Sequence, residues 1–169
     1  MKSCAVWRRF FACLALLAAL SFEAASADAA TIVALGASNT FGKGVARDQA
    51  YPAQLQAILR ARGVNVRVVN AGINGDTTEG MLRRLDRAVP NGTSAVILQP
   101  GGNDRRKGSA DRTADIQSRL SARGIPVIML PNSMLRGWPR QPDGQHLTPE
   151  GYRMLAEALA SQVSGVVGR

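Results

Sequence analysis

Residues 31–42 read TIVALGASNTFG, an apolar run that ends at a glycine and is followed by polar side chains. A short run rich in β-branched residues that stops at a glycine is typical of a strand buried on both faces of a parallel sheet. Three further short apolar runs occur at residues 64–69, 95–98 and 125–130. The opening stretch therefore predicts the first of about four buried parallel strands.

Helical patterns separate these strands. They predict helices over four segments, at about residues 48–62, 76–90, 111–123 and 148–163. Asp76 is the expected cap of the second helix, with Glu79 completing a capping box, and Pro149 suits the first turn of the last helix. Alternation of strands and helices predicts an α/β fold, a three-layer α/β/α sandwich of the flavodoxin-like type. In such sheets ligands bind beyond the carboxyl ends of the strands.

The beginning of the chain has the pattern of a targeting segment. Basic residues within the first nine positions precede an unbroken apolar stretch at residues 10–20, and small residues follow at 25–27. This order is typical of a secretory signal peptide over residues 1–27, which leaves a domain at 28–169 and predicts a periplasmic or secreted protein. A buried N-terminal helix or an uncleaved anchor is the alternative.

Composition sets further bounds. A chain of 169 residues with 46% hydrophobic and 20% charged residues is typical of one globular domain and excludes a disordered protein. Both cysteines, Cys4 and Cys13, lie in the predicted leader, so residues 28–169 hold no disulfide and no thiolate metal site.

The formal net charge of the chain is +9, or +7 without the leader, and the basic residues are spread along the chain. We expect at most a weak attraction to anionic envelope surfaces, and no binding to nucleic acid.

Polar residues follow the predicted strands, at residues 36–42, 70–78 and 101–104, and precede the last helix at 143–146. These four segments are expected to converge on one crevice, because the carboxyl ends of parallel strands share one edge of the sheet.

The crevice would hold the groups that a serine nucleophile requires. A serine hydroxyl needs a neighbouring base, and His146 is the single histidine of the chain. We therefore predict Ser38 as nucleophile, His146 as general base and Asp143 as the carboxylate that orients it. The backbone N–H groups of Ser38 and Gly75 and the side-chain amide of Asn103 are the predicted oxyanion-hole donors.

Simpler interpretations exist for these residues. Each of these residues alone could be an ordinary turn former. A phosphate loop at Gly36 to Lys43 is excluded, because five residues instead of four separate Gly36 from Gly42, and Gly44 instead of Ser or Thr follows the lysine.

The four blocks, taken in order, resemble those of the SGNH (GDSL-type) serine esterase family. They are Gly36-Ala37-Ser38, Gly75, Gly102-Asn103-Asp104 and Asp143-Gly144-Gln145-His146. Residues 68–78 are similar to the secreted thioesterase/lysophospholipase/arylesterase branch. The resemblance implies the same roles for these residues, no metal or organic cofactor, and hydrolysis of carboxylic esters or thioesters through an acyl-serine. The expected substrate is a small ester or thioester, lipid-derived ones included. The alternatives are a deacetylase of O-acetylated carbohydrate and a non-catalytic relative that binds an envelope ligand.

Two departures from the family pattern qualify the expected site. Ala37 stands where the family has aspartate, and only 12 residues separate Leu130 from Asp143 where relatives carry another helix and strand. This shortened segment predicts a shallow, open pocket. Three of its apolar residues could contact an acyl group or simply cover the end of the sheet: Met134, Leu135 and Trp138.

Overall fold

Four parallel strands form the centre of the structure. The computed structural model describes residues 28–168, so the predicted signal peptide lies outside the described residues. The strands are β1 (Ala30–Gly36), β2 (Val66–Gly72), β3 (Thr93–Gln99) and β4 (Val127–Met129). Their order is β2-β1-β3-β4, with parallel pairing throughout. The predicted four-stranded parallel sheet of the flavodoxin-like type is confirmed.

Helices connect the strands. They are α1 (Ser38–Phe41), α2 (Tyr51–Ala61), α3 (Thr78–Arg83), α4 (Leu85–Ala88), α5 (Asn103–Lys107), α6 (Thr113–Ala122) and α7 (Pro149–Val167). Two short 3₁₀ turns cover Arg47–Gln49 and Asn132–Leu135. None of the helices in residues 28–168 combines the length and the hydropathy that a membrane-spanning segment requires.

Alternating side chains of the strands supply two hydrophobic cores, one on each face of the sheet. Ile32 and Ala34 of β1 pack with buried residues of α2 and α7. Val33 and Leu35 point to the other face and pack with α3, α4 and α6. All four are fully buried, and a large aliphatic side chain buried in this way contributes about 1.5–3 kcal/mol. The result is the predicted three-layer sandwich.

Strand β2 begins and ends later than the sequence pattern indicated. The prediction was 64–69, whereas the strand covers Val66–Gly72. Its last residues pair with β1, with Ala34 opposite Asn70 and Gly36 opposite Gly72. Asparagine and glycine have low strand propensity, so pairing with a neighbouring strand decided this end.

The second predicted helix also differs in detail. Residues 76–90 form two short helices, and the cap is Thr77 rather than Asp76. The Thr77 hydroxyl accepts a hydrogen bond from the backbone N–H of Gly80 at 3.1 Å. The Asp76 carboxylate instead forms an ion pair with Arg84 at 2.8 Å. Prediction of the cap at Asp76 was therefore wrong by one residue, because two capping-type residues are adjacent.

The remaining boundaries differ by a few residues. Helix α2 starts at Tyr51, since residues 47–49 form a separate 3₁₀ turn. Strand β4 is shorter than the predicted 125–130. Helix α7 extends to Val167, beyond the predicted end at 163.

Candidate active site

The turn after β1 carries Ser38 at the first position of α1. Gly36 ends the strand, and a Cβ there would lie 2.2 Å from the Thr40 hydroxyl, so the turn is too tight for a side chain. Ala37 is buried, with 2% of its surface exposed, and its backbone N–H donates to Oε1 of Gln99 at 3.3 Å. This geometry holds Ser38 at the carboxyl edge of the sheet.

The Ser38 hydroxyl contacts a histidine 108 positions further along the chain. Its Oγ lies 2.9 Å from Nε2 of His146, which is only 6% exposed. The other ring nitrogen, Nδ1, lies 2.5 Å from Oδ2 of Asp143. A serine, an imidazole and a carboxylate thus form one continuous hydrogen-bonded chain, the arrangement in which histidine takes a proton from serine.

Backbone hydrogen bonds fix the charge of Asp143. Its Oδ1 accepts from the N–H of His146 at 3.0 Å and from the N–H of Gln145 at 2.9 Å. The hydrogen bond from the His146 backbone, followed by that from the His146 side chain, holds the pKa of the Asp143 carboxyl well below its usual range. The ionised Asp143 accepts a hydrogen bond from Nδ1–H, which leaves Nε2 as an acceptor facing the Ser38 hydroxyl.

The segment that carries His146 is anchored on both sides. The backbone N–H of Gln141 donates to the His146 carbonyl at 2.8 Å. Thr148 caps α7 directly after it, with its hydroxyl accepting from the N–H of Gly151 at 3.1 Å. The imidazole is therefore held between an internal turn and the start of a long helix.

Asn103 opens α5, after β3, and lies beside this chain of groups. It is 5% exposed, and its Nδ2 donates to the carbonyl of Asp76 at 2.7 Å. That bond uses one of the two amide hydrogens and leaves the second as a donor. Its Oδ1 accepts from Arg106, which fixes which end of the amide is the donor.

Gly75 lies on the loop after β2, one residue before Asp76. Its φ of +73° suits glycine and makes the turn possible. Its carbonyl accepts from Nζ of Lys107 at 2.6 Å. Ser38, Asn103 and His146 line one cleft of about 220 Å³, and Gly75 is not among the residues of its wall.

The three apolar residues of the shortened segment occupy different positions. Leu135 lines the cleft and is also buried in the core that holds α2 and α7. Met134 and Trp138 pack against that core and are not part of the cleft wall. Contact with a substrate thus has structural support for Leu135 alone.

Several residues of the site were missed by sequence reasoning. Gln99 and Asn132 line the cleft, and Gln99 donates through Nε2 to Oδ1 of Asn132 at 3.1 Å. A signal existed for Gln99, since it is a polar residue at the end of an otherwise apolar strand. The arginines of the cleft, Arg105, Arg106 and Arg140, gave no such signal in an arginine-rich sequence.

No metal centre accompanies this arrangement in the part of the chain that the structure describes. Residues 28–168 bring no three His, Cys, Asp or Glu side chains together in a geometry that could hold an ion.

The chain is similar in sequence to known ester hydrolases. The family described as GDSL-like Lipase/Acylhydrolase matches residues 34–164. The chain is 36% identical over 124 residues to the esterase TesA of Pseudomonas aeruginosa, which covers 70% of this chain and 60% of that protein. It is 36% identical over 120 residues to thioesterase 1/protease 1/lysophospholipase L1 of Escherichia coli strain K12, a match that covers 67% of this chain and 55% of that protein. The chain therefore spans less than two thirds of the length of these relatives.

Solved structures show the same fold. A structure of TesA aligns with a TM-score of 0.65 at 25% identity, covering 80% of this chain and 99% of that chain. The SGNH-hydrolase family esterase AlinE4 aligns with a TM-score of 0.53 at 26% identity, covering 82% and 74%. Both likenesses agree with the sandwich described above.

Proposed function

The chain belongs to the GDSL-like lipase/acylhydrolase family, and we propose that it is a serine esterase. It would hydrolyse carboxylic esters or thioesters through an acyl-Ser38 intermediate. The observation that carries this proposal is the hydrogen-bonded chain from Ser38 Oγ through His146 to Asp143.

The first half of the reaction forms the acyl-enzyme. Oγ of Ser38 attacks the carbonyl carbon while Nε2 of His146 takes the hydroxyl proton, and Asp143 stabilises the imidazolium. The negative charge that develops on the carbonyl oxygen meets the backbone N–H groups of Ser38 and Gly75 and the free amide hydrogen of Asn103. As the bond to the leaving oxygen or sulfur breaks, Nε2 returns the proton to that atom.

The second half repeats these steps with water. Nε2 takes a proton from water, whose oxygen attacks the acyl carbon, and the bond to Oγ breaks as Ser38 recovers its proton. The products are a carboxylic acid and an alcohol or thiol, and the enzyme is regenerated without a cofactor.

The size of the cleft favours short acyl groups. Its volume of about 220 Å³ is below the roughly 300–1,000 Å³ of typical ligand pockets. We infer that acetyl and similarly small acyl groups are preferred over long chains. Similar proteins carry the names esterase, arylesterase and thioesterase, which agrees with an ester or thioester bond as the target.

Export is a further part of the proposal. It rests on the basic, apolar and small-residue pattern at residues 1–27. Sequencing the N-terminus of protein isolated from the periplasm or medium is expected to start at about residue 28, whereas a start at Met1 would contradict cleavage.

Labelling with a fluorophosphonate tests the nucleophile directly. The expected product is a phosphonylated Ser38, with loss of fluoride, located by mass spectrometry of the labelled peptide. Replacing His146 with Ala should abolish labelling, while Ser118→Ala, on the exposed side of α6, serves as the matched control and should label normally. A folded protein that takes up no label would contradict the proposal and favour the non-catalytic, ligand-binding alternative.

A further inference from the structure

The charged residues that line the cleft are all basic. Arg105, Arg106 and Arg140 lie on its wall together with His146, and neither Asp nor Glu is among the lining residues. The neighbouring carboxylate, Asp143, is already bonded to His146. A substrate in this cleft therefore meets a cluster of guanidinium groups whose charge is not balanced within the wall.

Two of these arginines are held in place by neutral groups. Arg106 donates to Oε1 of Gln145 and to Oδ1 of Asn103. Arg140 donates to the carbonyls of Gln145 at 2.9 Å and Leu135 at 2.5 Å. Amide and carbonyl oxygens orient a guanidinium but leave its full positive charge.

Arg105 is the freest of the three. Among residues 28–168, none of the three cleft arginines forms an ion pair with a carboxylate; elsewhere Arg84 and Arg153 do so. The exposed Arg105 side chain makes no hydrogen bond within the described residues either. Its guanidinium is therefore available to a ligand.

The position of the cluster relative to His146 indicates which part of an ester it faces. Nε2 of His146 has to deliver a proton to the leaving atom, so the leaving alcohol or thiol lies beside the His146 segment. Arg106 and Arg140 are both bonded to Gln145, the residue directly before His146. Arg106 and Arg140 thus border the leaving-group side of the site, and Arg105 lines the same cleft next to Arg106 on α5.

We propose that Arg105, Arg106 and Arg140 bind an anionic group, a carboxylate or a phosphate, carried on the alcohol or thiol part of the substrate. The inference rests on the proposed esterase function and narrows its substrate class. A planar guanidinium can donate two parallel hydrogen bonds to either anion, which the compact ammonium group of lysine cannot. Hydrolysis would release a free small acid and an anionic alcohol or thiol.

A matched set of acetyl esters tests the proposal. The neutral ester is methyl 4-acetoxybenzoate, and the anionic ones are 4-acetoxybenzoate and 4-acetoxyphenyl phosphate. The measured quantity is kcat/KM of each anionic ester divided by that of the neutral ester, compared between wild type and variants. Dividing the wild-type ratio by the ratio of each variant cancels the different intrinsic reactivity of the three leaving groups.

Arg105→Gln is the cleanest variant, because this side chain holds no other part of the protein. It is expected to lower the ratio roughly two- to fivefold, as for an exposed charge pair, and mainly through KM. Arg105→Gln combined with Arg140→Gln should lower it by about tenfold. Arg62→Gln, an exposed arginine at the amino-terminal edge of the sheet, removes the same formal charge and should leave the ratio unchanged.

Arg140 also fastens the segment before His146, so its loss could disturb the site itself. Arg140→Lys separates the two effects, since it keeps the charge and loses the fork of donors. The ratio in Arg140→Lys should lie between those of wild type and Arg140→Gln. Added salt should lower the wild-type ratio, because it screens charge interactions in an open cleft.

A decrease of the ratio for one anion alone identifies that anion as the group bound. A ratio that is the same in wild type, Arg105→Gln and the double variant would overturn the inference. A second pair of esters tests where the anion lies on the substrate. Phenyl hydrogen succinate carries its anion on the acyl part, and phenyl butanoate is its neutral counterpart. If the arginines favoured phenyl hydrogen succinate over phenyl butanoate, the placement of the anion on the leaving group would be overturned.

Binding to an inactive protein separates this inference from the esterase proposal. Ser38→Ala protein should bind 4-hydroxyphenyl phosphate or 4-hydroxybenzoate more tightly than methyl 4-hydroxybenzoate in a calorimetric titration, and Arg105→Gln should reduce that difference. If wild type hydrolyses none of the esters and Ser38 takes up no fluorophosphonate, the esterase proposal fails. If the Ser38→Ala protein binds charged and neutral phenols equally, the arginine site is rejected.

Discussion

Oε1 of Gln99 accepts a hydrogen bond from the backbone N–H of Ala37, the residue directly before Ser38. The same oxygen accepts from the Thr40 hydroxyl at 3.2 Å. Gln99 is 1% exposed and ends β3, so one buried amide joins the central strand to both ends of the Ser38 turn. Ala37 has no polar side chain of its own, so the amide of Gln99 is the side-chain group that bonds this end of the turn.

Gln99→Leu should therefore lower both stability and activity. The substitution leaves the N–H of Ala37 and the Thr40 hydroxyl without their partner, and each buried unsatisfied group costs about 1–3 kcal/mol. We expect a loss of about 2–4 kcal/mol in urea unfolding and at least about a tenfold loss of kcat/KM, because the nucleophile is displaced.

Gln162→Leu provides the control, since Gln162 is exposed on α7 and far from the cleft. It should change the free energy of unfolding by less than about 0.5 kcal/mol. Equal effects of the two substitutions would show that Gln99 does not support the turn.

Ser38 and His146 should behave as one unit in kinetics. We expect Ser38→Ala and His146→Ala each to lower kcat by at least about 10³-fold, and the double variant to lose little more than either single one. The measurement is ester hydrolysis by the three purified variants, with circular dichroism as the check of folding. Losses that multiply in the double variant would mean that the two side chains act independently, contrary to the proposed mechanism.

Asp143 should remain ionised over the whole working range of the enzyme. Its hydrogen bonds lower the pKa in the folded state, so its stabilising effect is present above the ordinary aspartate pKa and is lost only as the pH falls toward the lower folded value. Titration of Asp143 should therefore cause no loss of activity between about pH 8 and pH 5.

Asp143→Asn tests this assignment. We expect kcat to fall by about 10²–10⁴-fold, because an amide at this position no longer selects the correct imidazole tautomer. Ester hydrolysis by wild type and variant, with circular dichroism as the check of folding, measures this loss. An unchanged kcat in Asp143→Asn would contradict the role of the carboxylate.

The fold class and the meeting of distant residues could be predicted from the sequence because both follow from topology. Short apolar runs alternating with helices define a parallel sheet, and the segments after β1 and β3 must then meet at its carboxyl edge. The structure accordingly brings Ser38 and Asn103 to one cleft, although their catalytic roles remain predictions.

Features that depend on side-chain rotamers and on pairing between neighbours could not be predicted. Thr77 and Asp76 are both suitable caps, and only the ion pair of Asp76 with Arg84 decides between them. Whether Arg106 or Arg140 faces solvent or a cleft depends on the acceptors that surround each guanidinium, which a linear sequence does not specify.

The ion pair between Asp76 and Arg84 should be important for both stability and catalysis. Its atoms lie 2.8 Å apart and each side chain is 11% exposed. Arg84 also donates to the carbonyl of Gly36 at 3.3 Å, and the Asp76 carbonyl accepts from Asn103. The pair thus links the turn that carries Ser38 to Asn103, a predicted oxyanion-hole residue.

Asp76→Asn leaves a nearly buried arginine without its counter-charge. Breaking a fully buried pair lowers the free energy of unfolding by about 3–5 kcal/mol, and we expect a loss of about 2–4 kcal/mol here. Glu79→Gln is the matched control, because it breaks the exposed pair of Glu79 with Arg83 on the same helix and should cost less than about 0.5 kcal/mol. Urea unfolding gives both values, and kcat/KM should fall in the first variant and stay within twofold of wild type in the second. If the two variants lost equal stability, the nearly buried pair would be no more important than a surface contact, and the link between the two loops would have to lie elsewhere.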